Sequence, residues 1–249
     1  MNYSSSTGHG RIVSNLRVLL LVPVWNEESR LAGVIEDLRL HTPYDILVVD
    51  DGSADRTAEV ARTLNCTVVS HPRNQGVGSA IRTAIRYAIQ KQYDILVPVN
   101  GTGKTPASSI PALIAPIAEG RCDFVQGSRY MAGSELTNLP LHRSIGTRLY
   151  SALFSLFLGR RVTDGTSGFR GLRVTMLNDP RFRLDQTWLD RYELEPYLYY
   201  KSVEFGYRVA EVPVRIVYPA SGRYTKMRVL TDWWRIVRPL FYLKFGIRK

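Results

Sequence analysis

The sequence predicts an α/β protein with a mostly parallel mixed sheet and helices on both faces, in a single Rossmann-like arrangement. Two observations carry this prediction. Apolar, β-rich runs alternate with segments of helical periodicity through about the first hundred residues, which is the order expected of parallel strands joined by helices. No linker-like stretch interrupts the 249 residues, a length that one large domain can fill.

The first strand is predicted at residues 18–24, where the run VLLLVPV is apolar throughout, as in a strand buried on both faces. Asn26 then offers a helix cap, and Glu27 and Glu28 follow in the first helical turn. Further strands are expected at 46–49, 67–70, 95–99, 124–127 and 209–217. Further helices are expected at 55–64, 80–89, 144–158, 186–205 and 230–243.

The charge balance is strongly basic, with 33 Lys and Arg against 22 Asp and Glu and a formal net charge of +11. Such a surplus attracts polyanions, which include nucleic acid, anionic lipid headgroups and phosphorylated substrates. The cations are spread along the chain without an RNA-binding aromatic signature or a zinc spacing, so no nucleic-acid partner is expected. Cys66 and Cys122 lie far apart and favour free thiols in a reducing compartment over a disulfide or a zinc site.

The two ends of the chain differ in character. Residues 1–15 are polar and lack the apolar core of a signal peptide, so we expect a disordered leader. No apolar run reaches the roughly 18 residues that a membrane-spanning helix needs. Segments 149–158 and 233–249 combine apolar and aromatic side chains with flanking cations, which suits a lipid headgroup interface. Both also suit ordinary packed helices, and the two interpretations stay open.

Polar residues follow the predicted strands where ligands bind in sheets of this type, beyond the carboxyl ends. This places three segments along one crevice: 23–26, 50–53 and 100–104. The adjacent carboxylates of Asp50 and Asp51 are favoured by a ligand that offers donors or a cation, as a nucleoside does. A helix cap with a turn glycine would explain Gly52 and Ser53 but not the doubled Asp. Segment 71–78 is a glycine-bearing helix entry whose amides suit phosphate oxygens.

Several motifs occur together in a fixed order: VPVWNEE (22–28), VVDDGSADRT (48–57), residues 74–80, VQGSRY (125–130), TDGTSGFR (163–170), EVPV (211–214) and YTKM (224–227). As a set they resemble family 2 glycosyltransferases, in the branch of dolichyl-phosphate mannose synthase and bacterial polyprenyl-phosphate glycosyltransferases. The resemblance implies a GT-A fold over 16–232, followed by a basic aromatic helix at 233–249 that contacts an anionic membrane surface.

The resemblance also implies residue roles. The nucleotide-sugar site is expected to comprise Pro23, Asn26, Glu28, Asp50, Asp51, Gly52, Ser53, Asn74, Gly78, Asn100, Gly101, Thr102 and Lys104. Arg129 and Arg143 are expected to face phosphates, and Lys226 belongs to a loop near the diphosphate in relatives. Asp164 is expected near the acceptor. A headgroup contact for Arg143 and a helix cap for Asp164 are the structural alternatives.

The chain departs from its relatives at 99–106, VNGTGKTP. Relatives carry an Asp-x-Asp motif here that binds Mg²⁺ or Mn²⁺ across the diphosphate, whereas Asn100 and Thr102 occupy those positions in this sequence. An amide and a hydroxyl are poor substitutes for carboxylates, so no metal cofactor is assigned. Three interpretations stay open: Lys104 with Arg129 and Lys226 neutralises the diphosphate without metal, a metal binds weakly, or a nucleotide sugar is bound without turnover.

The function implied by the resemblance is inverting transfer of a sugar from a UDP- or GDP-sugar to a polyprenyl phosphate or other lipid-linked acceptor. The protein would act in the cytoplasm, peripherally on the inner face of the membrane. An acceptor phosphate is already ionised, whereas a hydroxyl acceptor would need a base, for which Asp164 and Glu195 are candidates. A silent nucleotide-sugar binder, a nucleotidyltransferase and a nucleic-acid-binding module are the rival readings.

Overall fold

The structure, a computed structural model, describes residues 16–218 and 229–248. The expected leader at 1–15 and the candidate Lys226 lie outside the described residues. The strands are β1 (Val18–Val24), β2 (Asp45–Asp50), β3 (Thr67–Ser70), β4 (Ile95–Pro98), β5 (Phe124–Ser128), β6 (Glu135–Thr137), β7 (Arg170–Arg173), β8 (Val209–Pro213) and β9 (Arg215–Val217). The helices are α1 (Glu28–His41), α2 (Thr57–Thr63), α3 (Val77–Gln90), α4 (Ile110–Ala118), α5 (Leu141–Leu158), α6 (Val174–Leu177), α7 (Leu194–Glu204) and α8 (Val229–Lys244).

The main sheet has the strand order β3-β2-β1-β4-β7-β5-β8. Strands β1 to β4 are parallel, β7 runs antiparallel between β4 and β5, and β8 is parallel to β5. A second, two-stranded parallel sheet joins β6 to β9. The predicted mixed, mostly parallel sheet is therefore confirmed. Because β1 and β4 are neighbours, the chain reverses its direction of winding there, which is where such sheets open a ligand crevice.

The pleat of β1 explains why this strand is apolar throughout. Leu19 and Leu21 pack on one face of the sheet in a cluster that includes α3, α5 and α7. Leu20 and Val22 pack on the other face with α1 and α4. Alternate side chains of a strand point to opposite faces, so helices on both sides bury every position.

Two predicted elements differ from the structure by more than a shift of a few residues at their ends. The strand expected at 209–217 is divided, because β8 ends at Pro213 and β9 pairs in the second sheet. The helix expected at 186–205 begins only at Leu194, after a short 3₁₀ turn at Thr187–Leu189. Pro213 has no N–H to continue a ladder, which accounts for the first division.

The C-terminal helix is part of the domain. It begins by Val229 instead of 233, and Leu240 and Leu243 are buried in the same cluster as α5 and α7. An ion pair between Arg238 and the buried Glu193 connects it to the start of α7. In the described parts of the chain, no helix is both long and apolar enough to cross a bilayer.

Candidate active site

A cleft of about 660 Å³ opens at the carboxyl edge of β1, β2 and β4. This volume lies within the range of small-molecule sites, roughly 300–1,000 Å³. The predicted residues that line it are Pro23, Asp51, Asn74, Asn100, Gly101, Thr102, Lys104, Arg129 and Arg143. The predicted residues that do not line it are Asn26, Glu28, Asp50, Gly52, Ser53, Gly78 and Asp164. The structure therefore brings most of the predicted site residues together at the cleft, whereas these seven do not line it.

Asn26 connects two loops and does not cap α1. Its φ of +52° is left-handed, its N–H donates to Ser53 Oγ, and its Oδ1 accepts from Ala54 N–H at 2.8 Å. The helix begins at Glu28, so the predicted cap at Asn26 is wrong and Glu27 holds the cap position. Glu27 is buried and lines the cleft, although the sequence analysis treated it only as a first-turn acid.

Asp50 and Asp51 are both buried and have different partners. Asp50 Oδ1 accepts the Ser53 N–H at 3.0 Å and closes its own turn. Asp51 accepts the N–H groups of Gln75 and Gly76 at 2.9 and 2.7 Å, and its Oδ1 lies 2.8 Å from His71 Nδ1. The doubled Asp therefore has a structural reason as well, because the second carboxylate holds the loop before α3 against the cleft.

The start of α3 is closed by protein atoms. The Ser79 N–H donates to the Asp190 carbonyl at 2.9 Å, and a Cβ on Gly78 would lie 2.5 Å from the carbonyl oxygen of Arg191 and closer still to that of Leu189. Arg82 forms an ion pair with the Asp190 carboxylate. Gly78 thus permits close packing of this loop on α3, and we assign it that function in place of the expected phosphate contact.

The loop after β4 does not present a metal-ligand set. Asn100 Oδ1 accepts the N–H and the hydroxyl of Thr102 at 3.0 and 2.6 Å, so the two side chains bond to each other. Across residues 16–218 and 229–248, no three His, Cys, Asp or Glu side chains are grouped closely enough to hold a metal ion. Hard divalent cations prefer anionic oxygen ligands. The residues present therefore do not fit the metal site of the family resemblance.

A cluster of cations lies beside this loop, around the ring of Tyr218. Lys104 Nζ is 6.0 Å from the ring centroid and the Arg143 guanidinium carbon is 5.6 Å from it. Arg129 Nη1 donates to the Tyr218 hydroxyl at 2.9 Å. The Val217 N–H donates to the Lys104 carbonyl at 3.0 Å, and this bond brings the end of β9 beside the loop. Cation–π attraction and the phenol oxygen together help to hold three like charges near one another.

Burial and the nearby positive charge of Arg143 lower the pKa of Lys104 to about 8, and Glu27 opposes the shift. An anionic ligand in the cleft would favour the charged amine, since a nearby opposite charge stabilises the ionised form. The amine is thus arranged to gain from a bound phosphate.

Arg129 is fixed by the fully buried Asp164. Its Nε and Nη2 donate to the two carboxylate oxygens at 2.6 and 2.7 Å, and Nη2 also donates to Thr166. Burial acts to lower the pKa of Arg129, but the charge and hydrogen bonds of Asp164 outweigh it and raise the pKa. A guanidinium has five N–H donors, and the described residues engage four of those of Arg129. Asp164 does not line the cleft, and its position favours positioning of Arg129 over proton transfer.

Glu195 lines the opposite wall of the cleft. Its Oε1 is 4.0 Å from Nη1 of the buried Arg170, whose Nε donates to Gln126 Oε1 at 2.8 Å. Burial raises the pKa of Glu195, and the charge of Arg170 partly opposes this. Of the two candidate bases, Glu195 is therefore the one that reaches the cleft.

The sequence did not indicate several cleft residues, namely Glu27, Arg191, Tyr192, Tyr218, Asp232, Arg235 and Ile236. The last three belong to α8, which was interpreted as a separate tail. Tyr218 directly follows β9, and an aromatic residue after a strand gives little sequence signal. The run of basic and aromatic residues in α8 was visible, but its packing against the cleft was not.

The profile described as Glycosyl transferase family 2 matches residues 20–179, which is more than half of the chain. The chain belongs to this family. This membership agrees with the predicted glycosyltransferase activity, with a site of the nucleotide-sugar type and with the predicted α/β fold.

Two relatives illustrate the similarity in sequence. The UDP-N-acetylglucosamine–dolichyl-phosphate N-acetylglucosaminyltransferase of Methanococcus voltae is 27% identical, over 92% of this chain and 96% of its own. The undecaprenyl-phosphate mannosyltransferase of Micrococcus luteus is 29% identical, over 81% and 84%. In structure, the glucosyl-3-phosphoglycerate synthase of Mycobacterium tuberculosis with bound UDP superposes with a TM-score of 0.70 at 18% identity, over 99% and 87% of the chains. This last comparison supports the GT-A fold.

We expect Gly78→Ala to lower the free energy of unfolding by about 1–3 kcal/mol, because the new methyl group would be forced into backbone carbonyls. Gly33→Ala in α1 is the matched control, since nothing lies within 4 Å of the added Cβ, and we expect it to stabilise slightly. Urea unfolding measures both. Equal effects of the two substitutions would contradict the packing function of Gly78.

We expect Asp164→Asn to lower the free energy of unfolding by about 3–5 kcal/mol, because the buried guanidinium of Arg129 would lose its charge partner. Asp185→Asn is the control, since it changes an exposed pair with Arg86 that should contribute little. Chemical denaturation compares the two variants with the native protein. Equal free energies of unfolding for the two variants would show that the pair of Arg129 and Asp164 does not stabilise the fold.

Proposed function

We propose that this glycosyltransferase moves a sugar, with inversion at the anomeric carbon, from a UDP- or GDP-sugar to a polyprenyl phosphate, and that it needs no divalent metal. The observation that carries the proposal is the cluster of Lys104, Arg129 and Arg143 at the cleft, where an acidic metal site would be expected. Cations can neutralise a leaving diphosphate as a metal does.

The donor occupies the part of the cleft formed by β1, β2 and the loop before α3. Pro23, Asp51 and Asn74 line this part, next to the exposed ring of Trp25. Polar and apolar groups are both available there, which suits a base and a ribose. The diphosphate then extends along the loop after β4 toward Lys104.

Negative charge grows on the leaving diphosphate as the bond to the anomeric carbon breaks. Lys104 and Arg143 line the cleft, and Arg129 is held in place by Asp164. A preorganised charge costs no rearrangement at the moment of reaction, so Arg129 supplies a fixed field while Lys104 and Arg143 approach the oxygens.

The acceptor is proposed from chemistry and from the two relatives, whose names give dolichyl phosphate and undecaprenyl phosphate. A phosphate monoester is ionised near neutral pH, so its oxygen attacks the anomeric carbon without a general base. Arg143 lies in the first turn of α5, at the cleft, and can hold this phosphate in line with the donor. The lipid acceptor places the reaction at the inner face of a membrane, where cytoplasmic nucleotide sugars are available.

A hydroxyl acceptor is the second candidate, and Glu195 is the observation in its favour. Its half-buried carboxylate at the cleft wall has a pKa that burial raises, which suits a general base. A hydroxyl acceptor would therefore need Glu195 as a base, whereas a phosphate acceptor would not.

We expect UDP or GDP to raise the melting temperature in the presence of EDTA as much as in the presence of Mn²⁺. Lys104→Met should weaken this binding about tenfold or more, because one of the cations facing the diphosphate is removed. Lys91→Met at the exposed end of α3 is the control and should bind as the native protein does. A shift that appears only with Mn²⁺ would overturn metal independence.

We expect Glu195→Gln to retain most of the transfer to polyprenyl phosphate, because an ionised phosphate needs no base. Arg143→Gln should reduce that transfer about a hundredfold, since charge and orientation are lost together. Radiolabelled sugar transfer measures both rates, and NMR of the product gives the anomeric configuration. Loss of transfer in Glu195→Gln, with turnover of the free prenol by the native protein, would favour the hydroxyl acceptor.

A further inference from the structure

The exposed apolar side chains are concentrated on one part of the surface. Nine large apolar side chains are exposed in the described residues, and seven of these belong to α5 or to residues 234–247. Within α5 they are Leu141, Ile145, Leu149 and Leu156, with exposures of 75, 51, 66 and 73%. We call these four residues the apolar stripe.

The apolar stripe is one continuous face of α5. Its members are separated by four, four and seven positions, a spacing that keeps them on the same side of a helix. The buried residues of α5 are Thr147, Tyr150, Ser151 and Phe154, and they lie on the opposite side. The helix is therefore apolar on two sides, and only one of them is used by the core.

The flank of α5 is used by α8. Gly146 faces the ring of Trp233, and the Tyr150 hydroxyl donates to the Ile236 carbonyl at 3.1 Å. Phe157 contacts the ring of Phe241, with 5.0 Å between centroids. This packing fixes α5 on the domain and leaves the stripe uncovered.

The charged residues of α5 and of the segment 233–249 are of one sign. Residues 141–158 contain Arg143 and Arg148 but no Asp or Glu, and residues 233–249 contain five cations and no acid. The exposed Arg161 follows the end of α5. Two copies of such a face would repel each other, whereas anionic lipid headgroups complement it.

The stripe also adjoins the cleft. Arg143, in the first turn of α5, lines the cleft together with Asp232 and Arg235 of α8. A lipid whose chain remains in a bilayer beneath the stripe could thus present its phosphate to Arg143 without leaving the membrane.

We propose that the apolar stripe of α5 docks on an anionic lipid bilayer, with α8 as its lateral support. This inference rests on the proposed lipid acceptor and goes beyond it, because it assigns membrane contact to α5 instead of to the C-terminal segment alone. Leucine side chains enter the boundary of headgroups and acyl chains, and the flanking arginines meet the headgroups.

The test compares Leu149→Glu and Leu156→Glu with Leu40→Glu. Leu40 is 80% exposed at the end of α1, away from the stripe, and is the matched control. Sedimentation with phosphatidylcholine vesicles containing phosphatidylglycerol measures binding without any acceptor. We expect each stripe variant to bind about tenfold or more weakly, with Leu40→Glu unchanged. Far-ultraviolet circular dichroism and melting confirm that the exposed substitutions leave the fold intact.

Two further measurements separate this inference from the proposed function. Transfer to a short-chain, water-soluble prenyl phosphate should be unchanged in the stripe variants, since their cleft is intact. If all three variants bind vesicles as tightly as the native protein does, the inference is overturned, even if transfer to the soluble acceptor occurs. A stripe variant that turns a dimer into a monomer in sedimentation velocity, with vesicle binding unaffected, would also overturn it in favour of a second copy of the chain.

Discussion

The buried ion pair of Arg129 and Asp164 is the interaction on which the rest of the site depends. Removing both charges from water is expensive, and only close geometry with further hydrogen bonds offsets the cost. The structure provides these bonds: Gln126 donates to the Asp164 carbonyl at 2.9 Å, and Glu211 accepts the Thr163 N–H. Strands β5 and β8 thereby fix the loop that holds the pair. The pair in turn orients Tyr218, around which the other cations gather.

The positive charge at the cleft is balanced by the protein itself only in part. Glu27 is near Lys104, and Asp164 neutralises Arg129, but the lowered pKa of Lys104 shows that repulsion and burial still act on the amine. A site of this kind is under electrostatic strain when empty and is relieved by an anion. A diphosphate is therefore favoured there by charge before any specific contact is considered.

The sequence was informative where one residue type has one physical use. The continuous apolar run of β1 predicted burial on both faces, and the ends of β1, β2 and β4 predicted the edge that carries the cleft. It was uninformative where a residue has two uses. Asp and Asn are common both in ligand contacts and in turns. In the structure, Asp50 and Asn26 stabilise a turn and a loop. Gly78 packs against the backbone of residues 189–191, which is more than a hundred residues away in the chain. The sequence around Gly78 therefore gives no indication of this contact.

A cation carried on the chain has a consequence for the end of the catalytic cycle. A metal ion can depart together with the nucleoside diphosphate, as a neutralised complex. The amine of Lys104 cannot, because it is covalently part of the chain, and the residue lines the cleft. In the metal-free transfer proposed above, the product would separate from its counter-charge, and the step that frees the enzyme for the next donor would be the rupture of salt links. Such an enzyme would turn over independently of cellular manganese, yet respond to ionic strength, since dissolved salt weakens those links.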